Sequence, residues 1–232
     1  MTDEGKPFAI ALKAALRRGY TGAVMLLGLT GTAALLYTTL IAGPSAEAGA
    51  ELVRFFSYFT IQSTLSVTVW CAIATFRKPS APRSDGGNKG AAVHLALLVS
   101  SILTAGGYYA LLDASWKPQG LSAFGNLLAH AIVPALFVLD WLVFERKGRF
   151  RIRFVPATLV LPSFHIVVAI LVGSITARYP YYFLDPVLLG VAVFLRNTGL
   201  FAVLFVLTGG LLCLADRLMN RTGAKIGGES TT

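Results

Sequence analysis

Gly125-Asn126-Leu127-Leu128-Ala129-His130-Ala131-Ile132-Val133-Pro134 interrupts an otherwise apolar run from about Ser122 to Phe144. A run of that length crosses a bilayer as a helix. Asn126 and His130 are four residues apart, so they share one helix face. Pro134 has no amide hydrogen to donate back to the His130 carbonyl, which frees that carbonyl and bends the helix. An ionisable side chain in lipid is costly and by default faces the interior of a helix bundle, where it marks a candidate functional site.

The surrounding chain has the same character. Of 232 residues, 55% are hydrophobic and 13% charged, with a mean hydropathy of +0.68. A soluble domain rarely runs so apolar. Long apolar runs separated by short charged loops read as an all-α integral membrane bundle of six spans, with no room for a soluble domain. The spans fall at about 20–41, 52–76, 91–112, 122–144, 154–177 and 188–215, between terminal tails 1–19 and 216–232. The first apolar stretch follows a charged segment and is of full span length, unlike a cleavable signal peptide. Gly28, Thr30, Gly31 and Thr32 in the first span permit close helix approach.

The net charge of +9 could suggest a nucleic-acid partner, but 16 of the 20 basic residues sit in the two tails and in the second and fourth loops. Such a distribution instead encodes topology and contact with anionic lipid, placing both termini in the cytosol. The second loop, 77–90, reads as a flexible basic connector carrying Arg77, Lys78, Arg83 and Lys89. Trp116 suits an interfacial position. Cys71 and Cys213 fall at the cytosolic ends of their spans and read as reduced, small apolar fillers.

Topology converts into depth. Spans two, four and six all start on the outer side, so Thr60 and His130, each about eight residues in, lie roughly 12 Å below the outer surface. Arg196 and Asn197 reach about the same layer in span six. Ser57, Thr60, Thr64 and Thr68 form a stripe in span two, with Ser63 beside it. Membrane hydroxyls commonly bond their own i−4 carbonyls; Thr60 stands out by its depth match to His130. A neutral imidazole within reach of a hydroxyl can take its proton and make it nucleophilic. Arg196, Asn197 or Asn126 could donate to a developing oxyanion. The bland alternative is a core histidine bonded to a neighbouring hydroxyl.

His165, near the middle of span five beside Ser163, is either a supporting group behind the reacting pair or a structural one; Ser63 and Thr64 are candidates for the same supporting role. Arg196 either meets a carboxyl group of a substrate or lipid, or snorkels outward to Asp185. Asp140 pairs with nearby arginines, and His94, near the cytosolic end of span three, can reach water. No HxxxH or CxxC spacing and no glycine-rich phosphate loop occurs. His130 and His165 differ in depth, which disfavours a bis-histidine haem. No metal or other cofactor is therefore expected.

Phe59-Thr60 in span two, Asn126-x3-His130 with Pro134 in span four, and Tyr179-Pro180-Tyr181-Tyr182-Phe183-Leu184-Asp185-Pro186 before span six occur in that order. The ordered set resembles the bacterial membrane proteins named for "Pr-six-Pr". More distantly it is similar to the animal androgen-induced and androgen-dependent membrane proteins. The animal family implies six spans and hydrolysis of fatty acid esters of hydroxy fatty acids by an intramembrane threonine with a histidine; these land on Thr60 and His130. The acidic position that follows their threonine is Ser63 or Thr64 here. The bacterial resemblance implies residence in the cytoplasmic membrane. Three readings follow, of which a purely structural or assembly role is the third. One is an intramembrane hydrolase of a lipid-like ester entering from the outer leaflet. Another is a non-catalytic binder or transporter of a small amphiphile in the same pocket.

Overall fold

The computed structural model describes residues 5–42, 48–77, 87–112 and 117–229. Lys78, Arg83 and Trp116, to which the sequence assigns connector and interfacial places, lie outside them. The described residues are helices joined by short irregular segments, with no strand. In chain order these are α1 (Gly5–Ala42), α2 (Ala48–Ser57), α3 (Phe59–Phe76), α4 (Gly87–Gly107) and α5 (Gly120–Leu127). There follow α6 (Val133–Phe144), α7 (Val160–Thr176), α8 (Pro186–Leu189) and α9 (Val191–Glu229). Two π-helical turns, Tyr108–Leu112 and Leu128–Ile132, extend α4 and join α5 to α6; 3-10 segments cover Ile152–Leu159 and Tyr182–Leu184.

Six segments are long and apolar enough to cross a membrane: Phe8–Ile41, Phe59–Phe76, Gly87–Leu112, Gly120–Phe144, Ile152–Thr176 and Val191–Thr222. In hydrocarbon a backbone must satisfy its own polar groups, and a helix does so within one segment. The protein is a polytopic all-α membrane protein. Two boundaries differ from the sequence reading. Helix α1 starts at Gly5, within a tail expected to be partly helical, whereas the last span continues as helix through residues expected as a tail, to Glu229. The second span is split at Tyr58, whose extended backbone (φ −68°, ψ 132°) separates α2 from α3.

Helix α1 packs along α3, α5 and α6. Small residues allow this. Gly28 faces the Thr68 side chain, and Gly31 backs onto Gly125 and Leu128. A Cβ added at Gly125 would lie 2.9 Å from Leu35 Cγ and 3.1 Å from the Gly31 carbonyl oxygen, both tighter than ordinary packing. Gly125→Val is expected to force α1 and α5 apart at a cost of about 1–3 kcal/mol. Thermal unfolding in detergent checks it.

One end of the bundle carries a charge cluster. Arg17 grips Asp140 with two hydrogen bonds, Nε to Oδ1 at 3.2 Å and Nη2 to Oδ2 at 2.9 Å. It also bonds Glu145, which Arg149 approaches at 2.5 Å. Burial alone would raise the Glu145 carboxyl, but the surrounding His94, Arg17 and Arg149 outweigh it and hold that group below its ordinary range. The pairing expected for Asp140 is thus made by Arg17 from the other end of the sequence. His94 does not reach water: it is 1% exposed, stacked on Trp70 at 5.1 Å, with Phe137 and Phe150 at its edges. Its Nδ1 lies 3.9 Å from Glu145, because the turn after α6 folds back over the ring. Cys71 and Cys213 are unpaired and buried.

Candidate functional site

At the opposite end, Thr60 and His130 meet. Thr60 Oγ1 is 3.0 Å from His130 Nε2, and both residues are buried. His130 Nδ1 lies 3.2 Å from the Asn126 carbonyl. A carbonyl can only accept, so Nδ1 holds the ring proton and Nε2 holds the lone pair. The Thr60 hydroxyl therefore donates to Nε2, the arrangement in which an imidazole can take the hydroxyl proton.

The local backbone explains the placement. Pro134 cannot donate to His130, and the helix widens instead into the π turn, with the Val133 amide reaching the Leu128 carbonyl. Such single π turns gather at functional sites. A second one ends α4 and begins with Tyr108, whose ring lies 4.1 Å from the His130 ring. The Asn126 side chain donates to the Tyr108 hydroxyl at 2.7 Å. Asn126 thus fixes the imidazole through its carbonyl and the tyrosine through its amide.

Thr60 owes its position to the break at Tyr58. It lies in the first turn of α3, where backbone amides have no carbonyl four residues back. The Tyr181 hydroxyl lies near the Thr60 hydroxyl and the backbone of Phe59 and Thr60. Burial raises this phenol to about 12, so it is neutral and can donate at pH 7. Tyr181 is held edge-on to Tyr58 at 5.7 Å and stacked on Phe183 at 5.1 Å.

Thr60, Tyr108 and Tyr181 form one wall of a cavity of about 530 Å³, within the usual range for small-molecule sites. The rest of the wall comes from the end of α4, from α7 and from α9, and it is mainly apolar. Helix α9 packs on α4 and on the 152–159 segment rather than along α7. The cavity lies between the end of α4, α7 and α9. None of its described lining residues carries a formal charge, and among the described residues no three of His, Cys, Asp or Glu converge as a metal set.

The other candidates divide. His165 lines the cavity, 3% exposed, beside Phe59 and Tyr181. Asn197 also lines it and donates to the Phe183 carbonyl at 2.7 Å, tying α9 to the aromatic loop. Arg196 is exposed, leans on Asn197 Oδ1 at 3.3 Å, and is not part of the described cavity wall. Successive residues on a helix point about 100° apart, so equal depth did not give equal direction. Nor does Arg196 reach Asp185, which instead caps α8 by accepting from the Val187 and Leu188 amides at 2.8 and 2.9 Å. Ser63 and Thr64 are buried in α3 away from the described wall, and the Asn126 amide is spent on Tyr108.

Tyr108 and Tyr181 had no role in the sequence reading. A tyrosine in an apolar run reads as core packing, and only the pairing with Asn126 or with the start of α3 separates these two from the other six tyrosines. None of the family models, curated proteins or solved structures compared with the chain matches it.

Proposed function

We propose that the protein is an intramembrane ester hydrolase acting on a lipid-like substrate, with Thr60 as nucleophile and His130 as base. The observation that carries the proposal is the Thr60–His130 hydrogen bond, with the acceptor nitrogen selected by the Asn126 carbonyl. The more distant likeness of the motif order to the animal androgen-induced and androgen-dependent proteins supports it, and the likeness to the "Pr-six-Pr" proteins favours a bacterial plasma membrane. The excess of basic residues in the tails and in the second and fourth loops supports cytosolic termini, which would put the cavity toward the outer leaflet.

In this reading Thr60 Oγ1 attacks the ester carbonyl while its proton passes to His130 Nε2. The carbonyl oxygen becomes an oxyanion beside the Tyr181 hydroxyl, a donor on the same cavity wall as Thr60. Collapse expels the alcohol, which takes the proton from His130, and leaves an acyl-threonine. Water then attacks that ester with His130 again as base, releasing the acid and restoring the hydroxyl. Arg196 has no part in it.

The second reading, a non-catalytic amphiphile binder, is favoured by one feature: the partner of His130 Nδ1 is a neutral carbonyl, which stabilises an imidazolium less than a carboxylate would. A fluorophosphonate probe separates the two. The hydrolase reading requires covalent labelling, with the added mass on Thr60 in a peptide digest; a binder is not labelled. Tyr181→Phe removes one oxyanion donor and is expected to slow labelling by about 10²–10³-fold, the usual loss for such a donor.

A further inference from the structure

Resting on the Thr60-centred reading, we infer that the ligand is an uncharged ester of a polyhydric alcohol, a monoacylglycerol-type lipid, whose free hydroxyl is bound by His165. The cavity wall contains polar atoms that the protein itself leaves unused. His165 is 3% exposed; the Ser57 carbonyl lies near its ring, yet neither ring nitrogen has a partner in hydrogen-bond geometry. Thr104 Oγ1 and Thr198 Oγ1 on the same wall are likewise buried and unpaired. A buried polar group without a partner is costly, and an imidazole with both nitrogens idle is the most conspicuous instance here.

Position and charge then narrow the chemistry. The His165 ring lies 5.4 Å from the Phe59 ring and 5.6 Å from the Tyr181 ring, centroid to centroid. Phe59 precedes Thr60 in the chain, and Tyr181 lines the same wall beside it. The second polar station therefore stands close to the nucleophile, at the head of the ligand rather than along its tail. An imidazole can both donate to and accept from a hydroxyl. The described wall holds no lysine or arginine to meet a phosphate or carboxylate, and Arg196 lies outside it. The remaining apolar surface suits one acyl chain. A head group with a hydroxyl next to the ester and no charge satisfies each of these.

The test uses the full chain in phosphatidylcholine nanodiscs, carrying Thr60→Ala so that nothing turns over. Retention of monolauroylglycerol, methyl laurate and lauroyl lysophosphatidate is measured against empty discs. Monolauroylglycerol should bind about tenfold more tightly than methyl laurate, the worth of one or two buried hydrogen bonds. Lysophosphatidate should do no better than the methyl ester. Adding His165→Phe should bring monolauroylglycerol and the methyl ester within about twofold of each other, and His165→Gln, which keeps a donor and an acceptor, should restore most of the difference. Equal binding of all three lipids by Thr60→Ala, tighter binding of the lysophosphatidate, or a preference that survives His165→Phe overturns the inference. Fluorophosphonate labelling of the unsubstituted protein is scored separately. If labelling fails while the lipid preference holds, the hydrolase reading falls and the ligand assignment stands. If labelling succeeds without the preference, the reverse is true.

Discussion

Thr60→Ala is expected to bring fluorophosphonate labelling to background while leaving the protein folded. The substitution removes one hydroxyl whose hydrogen bond to His130 is worth about 0.5–1.5 kcal/mol to stability, so the melting temperature should barely move. Thr60→Ser keeps the oxygen and should still be labelled. His130→Ala leaves the hydroxyl in place but takes away its base, and the labelling rate should fall by about 10²–10⁴-fold, the contribution of a positioned proton acceptor. The rate of probe attachment, followed by intact mass, reads all three. Full labelling of Thr60→Ala would place the reactive group elsewhere and end the threonine mechanism.

Arg17→Met should be the most damaging substitution away from the cavity. The guanidinium serves two carboxylates, Asp140 and Glu145, whose side chains are 1% and 7% exposed. Removing it strands Asp140 and leaves Glu145 to Arg149. Breaking a buried pair from one side costs about 3–5 kcal/mol, because the stranded charge has lost its hydration and its partner. Replacing both members with apolar residues avoids that cost. Arg17→Met combined with Asp140→Leu should therefore be more stable than Arg17→Met alone. Folded yield and thermal unfolding in a mild detergent measure the difference. Additive destabilisation in the double variant would mean that the pair contributes nothing as a pair.

Much of the bundle could be read before any coordinates. Run length and apolarity mark six spans, and the glycines at 28 and 31 mark where α1 is approached closely. The nearness of Thr60 and His130 followed from counting residues from the span ends, although the premise was off. Thr60 is not eight residues into a continuous span; it stands in the first turn of α3. No proline or glycine marks the break at Tyr58; the Gln62 side chain donates to the Phe56 carbonyl at 3.1 Å there, and the Tyr58 ring meets Tyr181, a residue more than a hundred positions away. The same limit explains Arg196 and His94. Depth along a helix can be counted, whereas rotation about its axis and the fold-back of a turn depend on neighbours that a single segment does not contain. The unassigned tyrosines belong with these, since their roles come from partners on other helices.

In the hydrolase reading, the position of the cavity between α7 and α9 sets the dimension in which a substrate would be delivered. A hydrophobic ester that slips between those two helices comes from the plane of the bilayer, so the concentration that governs encounter is its mole fraction among lipids and not its amount per litre. Adding inert lipid at fixed total ester would then slow turnover, and adding buffer would not. The water that would complete each cycle in that reading cannot come from the hydrocarbon and has to be supplied from an aqueous side, so oil and water would approach Thr60 from different phases.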